Sequence, residues 1–159
     1  MSDTILDPLI ARAILDSHAT RVGSELIVRT GNLDGDAKAL FDLKAVILSH
    51  GGGADPHFVY ANQAAADLWC MPVSELIGMP SRLSAPLEQQ ASRASMLKDA
   101  AESGVFRGYS GERIAKDGNR FMIEDATLWT VDFPQGSGQA VVFSRWHPLF
   151  ADVTSPAQQ

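Results

Sequence analysis

Residues 105–146 constrain the fold of this chain more than any other stretch. They hold three apolar, β-rich runs separated by two turn signals. Asp117-Gly118 supplies the positive φ values that tight strand-to-strand turns require. Residues 121–133 are rich in β-branched and aromatic side chains and contain no proline, which suits an interior strand. Pro134-Gln135-Gly136-Ser137-Gly138 makes a second turn, and residues 140–146 return as a third strand. Three consecutive strands form an antiparallel meander that the rest of the chain must cover.

The N-terminal part supplies candidate cover. Asp7-Pro8 reads as a helix opening, with Asp7 as N-cap and Pro8 in the first helical position. Leu6, Leu9, Ile10, Ala13 and Ile14 then fall on one face at helical spacing. Such a stripe either lies on its own sheet or pairs with a second subunit, and a homodimer through it is expected. Residues 36–43 offer a second short helix. Residues 45–49 and 58–60 form a hairpin around a glycine cluster, and Asn62 caps a helix over 63–69. Pro72 ends that helix, a further turn runs to Gly78, and residues 87–103 make the longest helix, with Ala91, Ala94, Leu97 and Ala101 on one face. The expected division is a helical segment over 1–43, a sheet domain over 44–148 and a flexible tail over 149–159.

Composition narrows the function classes. Cys70 stands alone, so a disulfide framework within one chain is excluded and a reducing cytoplasm is the expected location. Thirteen basic against 19 acidic residues give a charge of −6 with no basic run, which argues against nucleic acid as a partner. No apolar run approaches the ~18 residues of a membrane span. Gly108-Tyr109-Ser110-Gly111 lacks the spacing of a nucleophile elbow, and no phosphate-binding glycine motif occurs. His18, His50, His57 and His147 include no i, i+4 metal pair. No catalytic residue, metal site or cofactor is assigned, and the chain is expected to be non-enzymatic.

The order strand, strand, short helices, longer helix, three strands, together with YANQAAADLW and VSELIGMPSRLS, resembles the PAS sensor fold. More narrowly, ILSHG, FVYANQAAADL, ELIGMPSRLSA, YSGERIAKDGNRFMIEDATLW and VVFSRW are similar to the MEKHLA family, a PAS relative, over about residues 36–147. The resemblance implies an α+β fold: a five-stranded antiparallel sheet with short helices over one face, plus the N-terminal helices. It also implies a sensory or regulatory module that binds a small ligand and signals through protein association, with a second copy or a separate output protein as partner. A ligand-free dimerisation or interaction module is the alternative, and a haem- or flavin-binding sensor a third reading.

Residues 78–85 occupy the place of the flavin-binding segment of LOV photoreceptors, where a cysteine thiol attacks the flavin. Ser81 stands in that slot, and a hydroxyl cannot replace a thiolate in that reaction. Arg82 is retained beside it and could contact an anion. Register across the Asp117-Gly118 hairpin decides which carboxylate faces inward. A two-residue loop sets Glu124 opposite Gly111, and a three-residue loop ending at Asn119 sets Asp125 there. The PAS mapping favours the second, with Arg113, Asp125, Thr127 and Arg145 inward. Tyr109 and Trp129 would wall the same pocket. Asp125 would pair with one arginine, because an unpaired buried charge costs about 3–5 kcal/mol, leaving the other arginine for an anionic ligand. The expected ligand-binding set is Tyr109, Arg113, Asp125, Thr127, Trp129 and Arg145, with Ser81 and Arg82.

Overall fold

The computed structural model of the chain describes residues 7–149. Helix α1 (Pro8–Ser17) starts where Asp7 can cap it, its carboxylate accepting from the Leu9 and Ile10 amides. The helix passes into a π-helical turn, His18–Val22, which Gly23 closes at φ 95°. Helix α2 (Leu33–Phe41) begins at Leu33 rather than Asp36, because the Asn32 side chain accepts from the Gly35 amide at 2.8 Å.

Strands β1 (Val46–His50) and β2 (Phe58–Ala61) make the first hairpin. Asn62 is wholly buried and fully used. Its Oδ1 accepts from the Ile47 and Ala65 amides at 3.1 Å each, and its Nδ2 donates to the Ala45 carbonyl at 2.8 Å. One side chain thus caps helix α3 (Gln63–Trp69) and ties it to β1. Cys70 ends α3 in the left-handed region and is exposed. Helix α4 (Val73–Leu76), a 3-10 turn over Ser81–Ser84 and helix α5 (Gln90–Ser103) follow. Strands β3 (Val105–Ile114), β4 (Arg120–Phe133), β5 (Gly136–Phe143) and β6 (Arg145–Leu149) complete the chain.

All strand pairs are antiparallel, in the order β2-β1-β5-β4-β3, and β6 continues alongside the first half of β4. Both faces of the sheet are covered. On the inner face Trp69, Leu76 and Ala65 pack against Leu48, Phe121, Ile123 and Phe143. On the outer face Ala11, Ile14 and Leu15 of α1, with Ala37 and Leu40 of α2, pack against Ile47, Trp129, Val131 and Ala140. Each large side chain buried this way contributes about 1.5–3 kcal/mol.

That outer cluster corrects the expected dimer stripe. Ile14 is fully buried within its own chain, and Ile10 and Ala13 are partly buried against the same residues. Leu9 remains 50 % exposed, and Leu6 lies outside the described residues. The amphipathic face of α1 covers its own sheet, the nearest apolar surface available to it.

Two features of the β3–β4 hairpin depart from both expected registers. Ile114 pairs with Arg120, and the Ala115 amide donates to the Asn119 carbonyl. The loop is therefore Lys116-Asp117-Gly118, ending on Gly118 at φ 89°, the three-residue type that closes on a left-handed glycine. Gly111 accordingly faces Ile123, neither Glu124 nor Asp125. Further along, Asp125 adopts φ 55° and is exposed, as the extra residue of a bulge between the Gly111–Ile123 and Tyr109–Ala126 pairs. The bulge reverses the alternation of β4. Phe121 and Ile123 point inward before it, and Ala126 and Leu128 point inward after it, while Trp129 and Val131 pack on the outer face.

Candidate ligand cleft on the inner sheet face

The bulge dissolves the expected polar cluster. Asp125 projects into solvent, and Trp129 belongs to the outer core, where its Nε1 donates to Ser17 Oγ at 2.9 Å and its ring meets His18 edge-on at 4.8 Å. Thr127 shares that outward alternation. Arg145 is exposed on β6 and pairs at 3.5 Å with Glu124, which also binds His147 Nδ1. Arg82 is exposed and bridges to Asp55 at 3.0 Å. Of the expected set, Arg113, Tyr109 and Ser81 lie on the inner side.

Arg113 is 7 % exposed, and its guanidinium donates to Tyr109 Oη at 3.1 Å and to the Glu112 carbonyl at 2.9 Å. Both side chains fold over Gly111. A Cβ there would lie 2.1 Å from Tyr109 Oη and 3.0 Å from an Arg113 nitrogen, so the glycine provides the room they occupy. No carboxylate lies within ion-pair distance of Arg113 among the described residues.

The second inward cation is Arg93, on α5. It is 8 % exposed, has no ion pair among the described residues, and its Nε lacks any hydrogen-bond partner. Burial, reinforced by the charge of Arg113, pulls its guanidinium down to about 10. It is still charged at neutral pH.

Beneath α5 the sheet presents a polar row. Thr130 pairs with Gln139, and Gln139 with His50, so three neighbouring strands place these side chains side by side on the inner face. Gln139 Nε2 donates to the Leu97 carbonyl at 3.2 Å and fastens the helix to the sheet. His50 Nδ1 lies 2.8 Å from the Gly51 carbonyl, and burial pulls the ring down to about 4, so it is neutral at pH 7. The row and α5 enclose a cleft of about 690 Å³ whose third side is the glycine loop 51–56. Behind Arg93 and His50, which line both spaces, lies an inner cavity of about 40 Å³ reaching Arg113 and Tyr109.

Sequence reasoning missed Arg93, His50, Gln139 and Thr130. The face of α5 turned to the sheet carries Arg93 and Leu97, while Ala91 and Ala94 are exposed. A search for an apolar stripe passes over a buried arginine. The i, i+4 pair Arg93–Leu97 was the available signal, as was one further step of the period-two alternation along 46-48-50 and 143-141-139.

A five-strand antiparallel path with short helices and one longer helix over its inner face is the PAS-type fold. A PAS domain from Colwellia psychrerythraea is 18 % identical with a TM-score of 0.59, over 69 % of this chain and 93 % of that one. A fungal LOV domain photoreceptor is 18 % identical with a TM-score of 0.55, over 87 % of this chain and 90 % of that one. A LOV domain studied with a flavin analogue is 19 % identical with a TM-score of 0.54, over 74 % and 86 %. No curated protein matches the sequence. The chain belongs to the MEKHLA-domain family, whose model matches residues 9–148. Among the described residues no helix is long and apolar enough to cross a membrane.

The flavin of LOV proteins does not fit the inner cavity behind Arg93 and His50. Trp69 stands edge-on between Phe121 and Phe143, at 5.0 and 6.5 Å, and the cavity left is about 40 Å³, room for little more than water. Ser81 at the thiol position is fully buried, with its Oγ unpartnered.

Proposed function

We propose that this MEKHLA domain is a non-catalytic sensory module that holds a small anionic molecule in the cleft under α5 and signals its occupancy by associating with another chain. The observation that carries the reading is the pair of buried guanidiniums, Arg93 and Arg113, with no carboxylate on either among the described residues. A folded chain rarely keeps a buried charge uncompensated, and guanidinium presents a planar fork suited to carboxylate or phosphate. The ligand-free interaction module draws support only from the small inner cavity, which leaves both arginines and the open cleft without a role.

Calorimetric titration of the protein with small organic and inorganic anions at low ionic strength tests the reading. Binding is expected for the wild type, weakened tenfold or more in Arg93→Met, with Arg113→Met also impaired. Identical thermograms for wild type and Arg93→Met, or no anion raising the melting temperature, would overturn it.

A further inference from the structure

The described residues contain five buried side-chain polar atoms without a hydrogen-bond partner, and four of them belong to residues that line this cleft: His50 Nε2, Ser81 Oγ, Arg93 Nε and Thr130 Oγ1. Buried polar atoms are nearly always partnered, so such a convergence marks the place of something that supplies partners. Their chemistry is not uniform. Arg93 Nε–H can only donate. His50 is the opposite case. Its Nδ1 faces the Gly51 carbonyl at 2.8 Å, and a carbonyl oxygen only accepts, so Nδ1 carries the proton. The neutral ring then presents a lone pair at Nε2, an obligate acceptor. Burial, reinforced by the nearby Arg93 charge, keeps the ring from taking a second proton at neutral pH. Ser81 and Thr130 hydroxyls can play either role.

A plain carboxylate would satisfy Arg93 and leave His50 Nε2 facing its own lone pairs. An ammonium donor would satisfy His50 at the cost of placing a third cation beside Arg93 and Arg113. Resting on the anion reading above, we infer that the cleft selects a hydroxy-carboxylate, its carboxylate on Arg93 and its neutral hydroxyl donating to His50 Nε2. The small cavity behind these residues keeps the headgroup at their level, and the rest of the molecule extends toward the open cleft along Leu97 and the glycine loop. Hydrogen phosphate also combines negative charge with one hydroxyl donor, so it is the competing source of the same chemistry.

The test uses matched pairs that differ by a single hydroxyl: glycolate against acetate, lactate against propionate, malate against succinate, with inorganic phosphate as a further arm. Titration calorimetry of the wild type is expected to give a tenfold or greater preference for the hydroxylated member of at least one pair. In His50→Phe that preference should fall to near unity. Long-range nitrogen–proton spectra of wild type should show His50 protonated on Nδ1, with Nε2 shifting on addition of the hydroxy acid and not of its deoxy partner, a readout independent of any variant. Equal affinity within every pair overturns the hydroxyl selection and leaves the anion reading standing. Binding of phosphate alone does the same. No binding by any probe overturns both.

Discussion

Replacing Arg93 by methionine should make the ligand-free protein more stable, the reverse of what removing a salt-bridged arginine does. Moving a guanidinium from 12.5 to about 10 disfavours its charged form by about 3 kcal/mol. Arg93 has no carboxylate among the described residues to offset that cost. Methionine keeps an unbranched apolar stem and removes the charge, though it loses some of the packing of the longer chain, about 1 kcal/mol. The net gain expected is about 1–2 kcal/mol. With a urea slope of roughly 2 kcal/mol/M, the unfolding midpoint should rise by about 0.5–1 M at unchanged slope. Tryptophan fluorescence reports the transition, since Trp69 and Trp129 are buried on opposite faces of the sheet. A midpoint lowered by 0.5 M or more would show that Arg93 holds the fold together, and the case for an unsatisfied cation would be lost.

Acid should destabilise the protein through His50. Its folded value lies near 4 against 6.5 unfolded, so the unfolded chain takes up the proton first, and stability present above pH 6.5 falls by up to about 3 kcal/mol as pH approaches 4. His18, held low mainly by burial, adds in the same direction, and urea midpoints between pH 7 and 4.5 measure the sum. Gly138→Ala would bring a Cβ to 2.1 Å from the His50 backbone carbonyl, so β1 and β5 must part there; a loss of about 2–3 kcal/mol is expected, checked by thermal melting. Ile14→Glu should unfold the single chain, because the carboxylate would enter a closed apolar cluster; a folded variant that merely changed oligomeric state in sedimentation would contradict the packing described.

The sequence by itself determined most of the elements and their order, though it ran β5 and β6 together as one strand over 140–146. Local chemistry places the Asp7 and Asn62 caps, the glycine stops after the short helices and the β-rich runs, and local chemistry does not depend on what lies across the fold. The family motifs, spread along most of the chain, carried the architecture as well. The site was legible only in Arg113, Tyr109, Gly111 and Ser81. One bulged residue, Asp125, was enough to defeat the β4 positions, because side-chain direction along a strand is a running parity and a single inserted residue reverses it for every position beyond, while Arg145 lost its place separately, at the break at Ser144 between β5 and β6. Thr127, Trp129 and Asp125 lost their inward places by that reversal. Tertiary structure also decided that the apolar stripe of α1 covers its own sheet, since a stripe records that cover is needed and not which surface supplies it. The spacing of Arg93 to Leu97 marks a shared helix face but not its burial, which arises from α5 lying across a row of side chains drawn from three strands, and no window of neighbouring residues contains that row.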